Sequence, residues 1–309
     1  MKKLFYFSFV SFLFFSGAFL SVSAQSDSIN ANGDDVFLFD HSLPRMFSIP
    51  TGRVLNSLDF SLLLGSSLSF GRTNNYLGTV SLGLGGYGDI ELSSASLMGS
   101  IFNSEESFSY IGMKIKLLSE NERLPELAIG IKTNNEWNNS NRGSQDILSN
   151  SSDLFNNGLR GINYDARMTS AYLSLTKKIR EIVSVHAGLS FSDLRLKNIN
   201  TIYNYWNAVY NHPEEEIKNI FNFFGGLEFD LNERTKLLLE VQSFPYVNVN
   251  VRNGHLETEK RVLGIVGLRF FISRWLLVDS GVLYQDNYKG LADAQLKVSL
   301  NGIWNLRFK

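Results

Sequence analysis

Leu58, Phe60, Leu62 and Leu64 alternate with Asp59 and Ser61, and this period of two recurs to the end of the chain. Val80–Leu84, Ile90–Leu92, Ile111–Leu117, Leu127–Ile131, Ala171–Thr176 and Val183–Leu189 carry it onward. Phe221–Asp230, Leu237–Gln242, Val262–Phe270 and Leu276–Val282 continue it. In the last segment Leu296, Val298, Leu300, Trp304, Leu306 and Phe308 face one way, and Gln295, Lys297, Ser299, Asn301, Asn305 and Arg307 the other. A strand sends successive side chains to opposite faces, so each segment has one oily and one polar face. The pattern predicts twelve such strands.

The links between them alternate in length. Gly85–Asp89, Ser119–Pro125, Lys177–Glu181, Leu231–Thr235 and Ser273–Arg274 form a short set. Glu136–Asp165, Asn198–Ile217 and Phe244–Glu259 are long, and Gly71–Tyr76, Gly99–Glu106 and Asp286–Ala292 fall on their side of the alternation. A sandwich has no reason to sort its links this way. A closed ring of hairpins crossing a bilayer does, with turns on one side and loops on the other. The fold class read here is therefore all-β: a transmembrane antiparallel up-and-down β-barrel of about 12 strands, with short periplasmic turns and longer extracellular loops.

Residues 1–24 read as a secretory signal: Lys2 and Lys3, an apolar run from Leu4 to Leu20, then Val22-Ser23-Ala24 before Gln25. Residues 25–53 read as an N-terminal segment that lies in the periplasm or plugs the barrel mouth, and 54–309 as the barrel. Zero Cys excludes a disulfide framework and thiolate metal sites. Without Lys2 and Lys3 the basic count falls from 29 to 27 against 30 acidic residues, a balance of −3 that gives no electrostatic case for nucleic acid. After the signal no stretch reaches the ~20 apolar residues of a spanning helix.

On the signal, the strand array and the closing strand Leu300–Trp304–Leu306–Phe308, the chain resembles the outer-membrane β-barrel proteins of Gram-negative bacteria. Its Asn-rich loops and Phe-rich signal are similar to those of uncharacterised Bacteroidetes-type barrels. The resemblance implies export to the cell outer membrane, outer-membrane lipid as surroundings, and recognition of the closing strand by the barrel-assembly machinery. Lys309 after Phe308 departs from a class that usually ends on the aromatic.

Oily faces toward lipid send Asp59, Glu91, Lys114, Lys116, Lys132, His186, Glu228, Glu240, Arg269, Asp279 and Lys297 into the lumen. Two readings follow. Lys114, Lys116 and Lys132 line one wall of a narrow, anion-preferring pore, or they pair with Glu91, Glu228 and Glu240 and fill the interior. Leu238, Leu263, Ile265 and Phe271 at inward positions favour a filled or narrowly open lumen, since a wide wet pore would not collect them. Tyr203, Tyr205, Trp206 and Tyr210 in the Asn198–Ile217 link are contact candidates for a ligand or partner, or an aromatic girdle where the strand leaves lipid. Ser184 and His186 share a face, but on the lumen side, away from lipid; no catalytic site, metal site or cofactor is expected. The glycine run Gly83–Gly88 opens no helix and is not a phosphate loop. The reading is a monomeric barrel acting as a narrow channel or transporter component for small solutes or cell-surface polymers. The alternative is a non-conducting anchor or partner-binding scaffold.

Overall fold

A computed structural model describes residues 43–68, 75–94, 109–134, 137–138, 162–179, 182–203, 208–212, 216–249, 256–286, 288, 290 and 293–306. The strands are β1 (Asp59–Leu68), β2 (Asn75–Leu84), β3 (Gly88–Ser94), β4 (Ser109–Leu118), β5 (Glu126–Asn134), β6 (Trp137–Asn138) and β7 (Ile162–Ile179). They continue with β8 (Val183–Tyr203), β9 (Ala208–His212), β10 (Glu216–Asn232), β11 (Thr235–Val249), β12 (Leu256–Phe271), β13 (Leu276–Gln285) and β14 (Gln295–Asn305).

All pairings are antiparallel, and twelve strands form a ring. The order β7-β5-β4-β3-β2-β1-β14-β13-β12-β11-β10-β8 closes through β7–β8. The seam between the ends of the chain runs from Asp59↔Asn305 to Leu68↔Leu296. The short pieces β6 and β9 extend β7 and β8 beyond the ring. The twelve barrel strands are those of the alternation.

Period-two patterning fixes the register because a one-residue slip would turn every oily row inward. Ile111, Met113 and Ile115 are exposed on the outer face of β4, whereas Lys114 between them is buried. On β8 Phe191 and Leu189 are exposed and His186 and Ser184 buried. At the short-turn end Trp304 lies over Gly302, stacks on Trp275 at 5.9 Å, and comes within 6.0 Å of Phe60. The β2–β3 turn uses Gly85 and Gly86 at φ 70° and 74°, a left-handed pair that closes with Tyr87 N donating to Leu84 O at 3.2 Å. That is the work of the glycine run.

Strand ends differ from the sequence reading. The Phe244–Glu259 link is mostly strand: β11 runs to Val249 and β12 starts at Leu256, with Val249↔Leu256 paired. The Asn198–Ile217 link likewise contains the end of β8, β9 and the start of β10. Likewise β6 and the first residues of β7 fall in the Glu136–Asp165 link. The reason is physical. The oily rows are interrupted, by Ser243 and Pro245 on β11 and by Thr258 and Lys260 on β12, while backbone pairing carries on regardless of side-chain pattern.

Candidate functional site: the filled lumen

The lumen is occupied by the chain itself. Met46, Phe47, Ile49, Val54 and Leu55 are buried, and Met46 at 0 % exposure is among the most enclosed side chains described. Pro44 and Pro50 frame a small hairpin. Arg45 bridges to Pro50, Met46 N donates to Ile49 O at 3.0 Å, and Thr51 N donates to Pro44 O at 3.0 Å. Prolines have no N–H to give, and here neither is asked for one. Thr51 Oγ1 donates to Leu43 O at 2.9 Å and tightens the base.

Buried backbone groups outside regular structure need partners, and the barrel wall supplies them. At the Phe47–Ser48 turn, both N–H groups donate to Glu240 Oε2 at 3.0 Å. Ser48 Oγ also bonds Glu240 and accepts from Gln242 Nε2 at 2.8 Å. Cations take the carbonyls. Lys297 Nζ donates to Phe47 O at 3.3 Å, and Arg269 Nη2 to Met46 O at 3.3 Å. Lys114 Nζ donates to Pro44 O at 3.0 Å and to Arg53 O at 2.5 Å. Ser174 Oγ donates to Thr51 O at 2.9 Å, and Gly52 N donates to Thr176 Oγ1 at 2.8 Å.

The wall is also cut to fit. A Cβ on Gly226 would stand 2.4 Å from Met46 Sδ, and one on Gly267 2.6 Å from the Phe47 ring. Leu238, Leu263 and Ile265 join Met46, Phe47 and Ile49 in one apolar cluster. These are three of the inward apolar positions that the sequence marked as inconsistent with a wide pore; Phe271, the fourth, packs with Leu43, Leu277 and Ile303. Each such side chain contributes about 1.5–3 kcal/mol when fully buried.

The charges are spent locally. Glu91 forms an ion pair with Arg45, accepts from Tyr110 OH at 2.7 Å, and has Lys132 Nζ at 3.4 Å. Burial alone would depress the Arg45 pKa, but the Glu91 carboxylate and Tyr110 outweigh it and hold the guanidinium above its ordinary value. Lys132 also lies 5.1 Å from the Tyr110 ring and 5.5 Å from Tyr172. Lys114 pairs with Asp89 at 3.4 Å, and Lys116 with Glu126 at 3.6 Å. Glu228 takes Lys236 at 2.7 Å and Arg53 at 3.4 Å. Arg269 grips Asp279 through two bonds of 2.7 and 2.9 Å, and Asn301 Nδ2 adds a third donor to Asp279 at 3.1 Å. Asp59 stands at the short-turn rim, where Asn305 Nδ2 donates to it at 2.7 Å.

The basic cluster is therefore not a bare wall. Each of Lys114, Lys116 and Lys132 has a carboxylate, though only Lys132 takes one named from sequence; Lys114 uses Asp89 and Lys116 uses Glu126. Glu240 binds turn amides in place of a lysine. Nor do Ser184 and His186 form a nucleophile–base pair. Ser184 Oγ accepts from Arg53 Nη2 at 2.9 Å, and His186 Nδ1 shares a hydrogen bond with Thr176 Oγ1 at 2.9 Å. The side chains of Tyr203, Tyr205, Trp206 and Tyr210 lie outside the described residues, as do residues 1–42.

Sequence reading missed Arg45, Arg53, Met46, Phe47, Ser48, Asp89 and Thr176 as members of the site. Two signals pointed to them: inward apolar residues with no partner on the wall, and glycines at inward positions such as Gly226 and Gly267. Neither carries a period, so alternation alone passes over them.

No family model matches the chain, and no curated protein matches it. Solved structures with a similar fold include the NanC porin, at 8 % identity and a TM-score of 0.46, covering 79 % of this chain and 100 % of that one. The KdgM porin in complex with oligogalacturonate aligns at 7 % identity and a TM-score of 0.46, over 80 % of this chain and 99 % of its own. An outer membrane channel from Pseudomonas putida F1 aligns at 10 % identity and a TM-score of 0.45, over 83 % and 97 %. The likeness reaches no further than barrel architecture.

Proposed function

We propose that this chain is an outer-membrane β-barrel whose lumen is closed by its own Leu43–Leu55 segment. It is a gated narrow channel or transporter component for small solutes or cell-surface polymers, shut in the state described. The outward Leu, Ile and Phe rows, the Trp275–Trp304–Phe60 cluster at the short-turn rim and the N-terminal signal support a place in the outer membrane. The short turns then face the periplasm. The Bacteroidetes-type attribution rests on loop and signal composition alone.

The observation that carries the reading is the Phe47–Ser48 turn held on Glu240, with Lys297, Arg269 and Lys114 on the surrounding carbonyls. These ties are charge-assisted hydrogen bonds, which water can replace when the hairpin leaves. A second reading has its own support. The full burial of Ile49, and of Met46 in a seat floored by Gly226, suits a permanently filled barrel used as an anchor or scaffold.

Planar-bilayer recording of the full-length protein separates them. The gated reading expects silence from the wild type and discrete conductance steps from the Arg45→Ala/Glu240→Ala protein. Silence from both leaves the scaffold. Steady conductance from the wild type removes the plug from both readings.

A further inference from the structure

Beyond the lumen, β7 and β8 carry a second feature, on their outer face. The apolar rows end at Ala171 and Phe191, which are partners in register; the next outward pair is Thr169↔Asp193, and the next is Arg167↔Arg195. Both arginines are exposed. Leu194 and Leu196, on the opposite face of β8, are fully buried, so the arginines point away from the barrel. Two like charges directly opposite on paired strands are unfavourable unless an anion sits between them. Arg195 Nε bonds Asp193 Oδ2 at 3.0 Å on its own strand. Among the described residues no carboxylate is paired with Arg167. A third cation, Lys260, is exposed on the outer face of β12 with its ammonium 6.0 Å from the Phe221 ring.

Height decides what the anion is. Arg195 lies four residues past Phe191, about 13 Å along the strand and roughly 10 Å along the barrel axis at ~40° tilt. A long side chain reaching back toward lipid brings its guanidinium into the headgroup layer, about 5–8 Å thick on each side. On the far side of β7, the outward residue beyond the oily row of β5 is Thr133, which hydrogen-bonds Thr169 at 3.0 Å and carries no charge. The cations thus occupy one arc of the rim.

We propose that Arg167 and Arg195 form a binding site for the phosphate of an anionic lipid headgroup in the leaflet on the long-loop side. The planar guanidinium forks suit phosphate oxygens, and the acyl chains lie along the Phe191 and Phe221 rows below. This inference rests on the membrane reading above, but not on the plug.

The test uses full-length protein in non-ionic detergent and three probes: a bis-phosphorylated acyl-disaccharide lipid, the same lipid with its phosphates removed, and inorganic phosphate. Binding is followed by native mass spectrometry for the wild type, Arg167→Gln and Arg167→Gln/Arg195→Gln. The phosphorylated lipid is expected to bind at least about tenfold tighter than its dephosphorylated form. Arg167→Gln should reduce that preference, and the double variant should abolish it. Equal binding of the two lipids, a preference surviving in the double variant, or displacement by equimolar inorganic phosphate would each overturn the site. Flotation of all three proteins with phospholipid vesicles is the control. Failure of the wild type to float would defeat the membrane reading, whereas flotation without phosphate preference defeats only this inference.

Discussion

The Glu240 carboxylate accepts the backbone N–H of Phe47 at 3.0 Å, joining residues 193 positions apart in the chain. The adjacent N–H of Ser48 reaches the same oxygen. Glu240→Gln keeps the side-chain shape but removes the charge that strengthens both bonds. A loss of about 2 kcal/mol from the hairpin is expected, close to a thirtyfold rise in its released population. Limited proteolysis of the folded protein in detergent checks this: cleavage within 43–55 should accelerate in the variant and leave the barrel intact. Unchanged cleavage would mean that Glu240 does not hold the turn.

Phe47 fills a seat whose floor is Gly267 and Gly281. Phe47→Ala should lower the stability of the folded protein by about 3 kcal/mol, because the rigid wall cannot collapse into the space. Phe47→Leu should cost about half as much. Denaturant midpoints followed by tryptophan fluorescence give both numbers, and equal midpoints for all three proteins would show that the ring adds nothing.

How much of this was legible beforehand follows from what leaves a periodic trace. Lipid-facing rows do, and Ile111–Met113–Ile115 against Gly112 and Lys114 placed β4 and its two faces correctly. The hairpin does not. Met46-Phe47-Ser48-Ile49 has no period, and its partners Glu240, Arg269 and Lys297 lie more than 190 positions away. Inward Leu238 and Ile265 signalled a filled lumen without naming the filler. Strand ends were misread at Val249 and Leu256 because Ser243 and Pro245 on β11, and Thr258 and Lys260 on β12, interrupt the oily rows while pairing continues.

The Arg269–Asp279 pair is almost wholly buried, with side chains 2 % and 1 % exposed. Asp279→Ala strands a buried guanidinium and is expected to cost about 3–5 kcal/mol, seen as a lowered denaturant midpoint. Replacing both partners, as Arg269→Met/Asp279→Leu, should recover most of that loss in stability. The same double change removes the bond from Arg269 to Met46 O, so the hairpin should become more protease-sensitive as the barrel recovers. A double variant no more stable than Asp279→Ala would contradict this reading.

Lys114 and Lys116 lie two residues apart on β4 and have different fates. Lys114 is buried and ties Pro44 and Arg53 to the wall, whereas the Lys116 ammonium is partly exposed and, among the described residues, pairs with Glu126 at 3.6 Å. Lys114→Gln should destabilise by about 3 kcal/mol and Lys116→Gln by roughly 0.5 kcal/mol or less. Similar thermal midpoints for the two variants would show that Lys114 bears no more of the hairpin than its neighbour.

The chain has no cysteine, so a single introduced thiol reports without background. Met46→Cys places it at the most enclosed point of the hairpin, and Ile49→Cys provides a second position against local disturbance. Labelling of the folded full-length proteins with a small water-soluble maleimide is the most direct measure of whether the lumen is filled. Both thiols should react at least about a hundredfold more slowly than in denaturant. Reaction at the denatured rate, in protein whose barrel remains folded, would mean that the segment does not occupy the lumen.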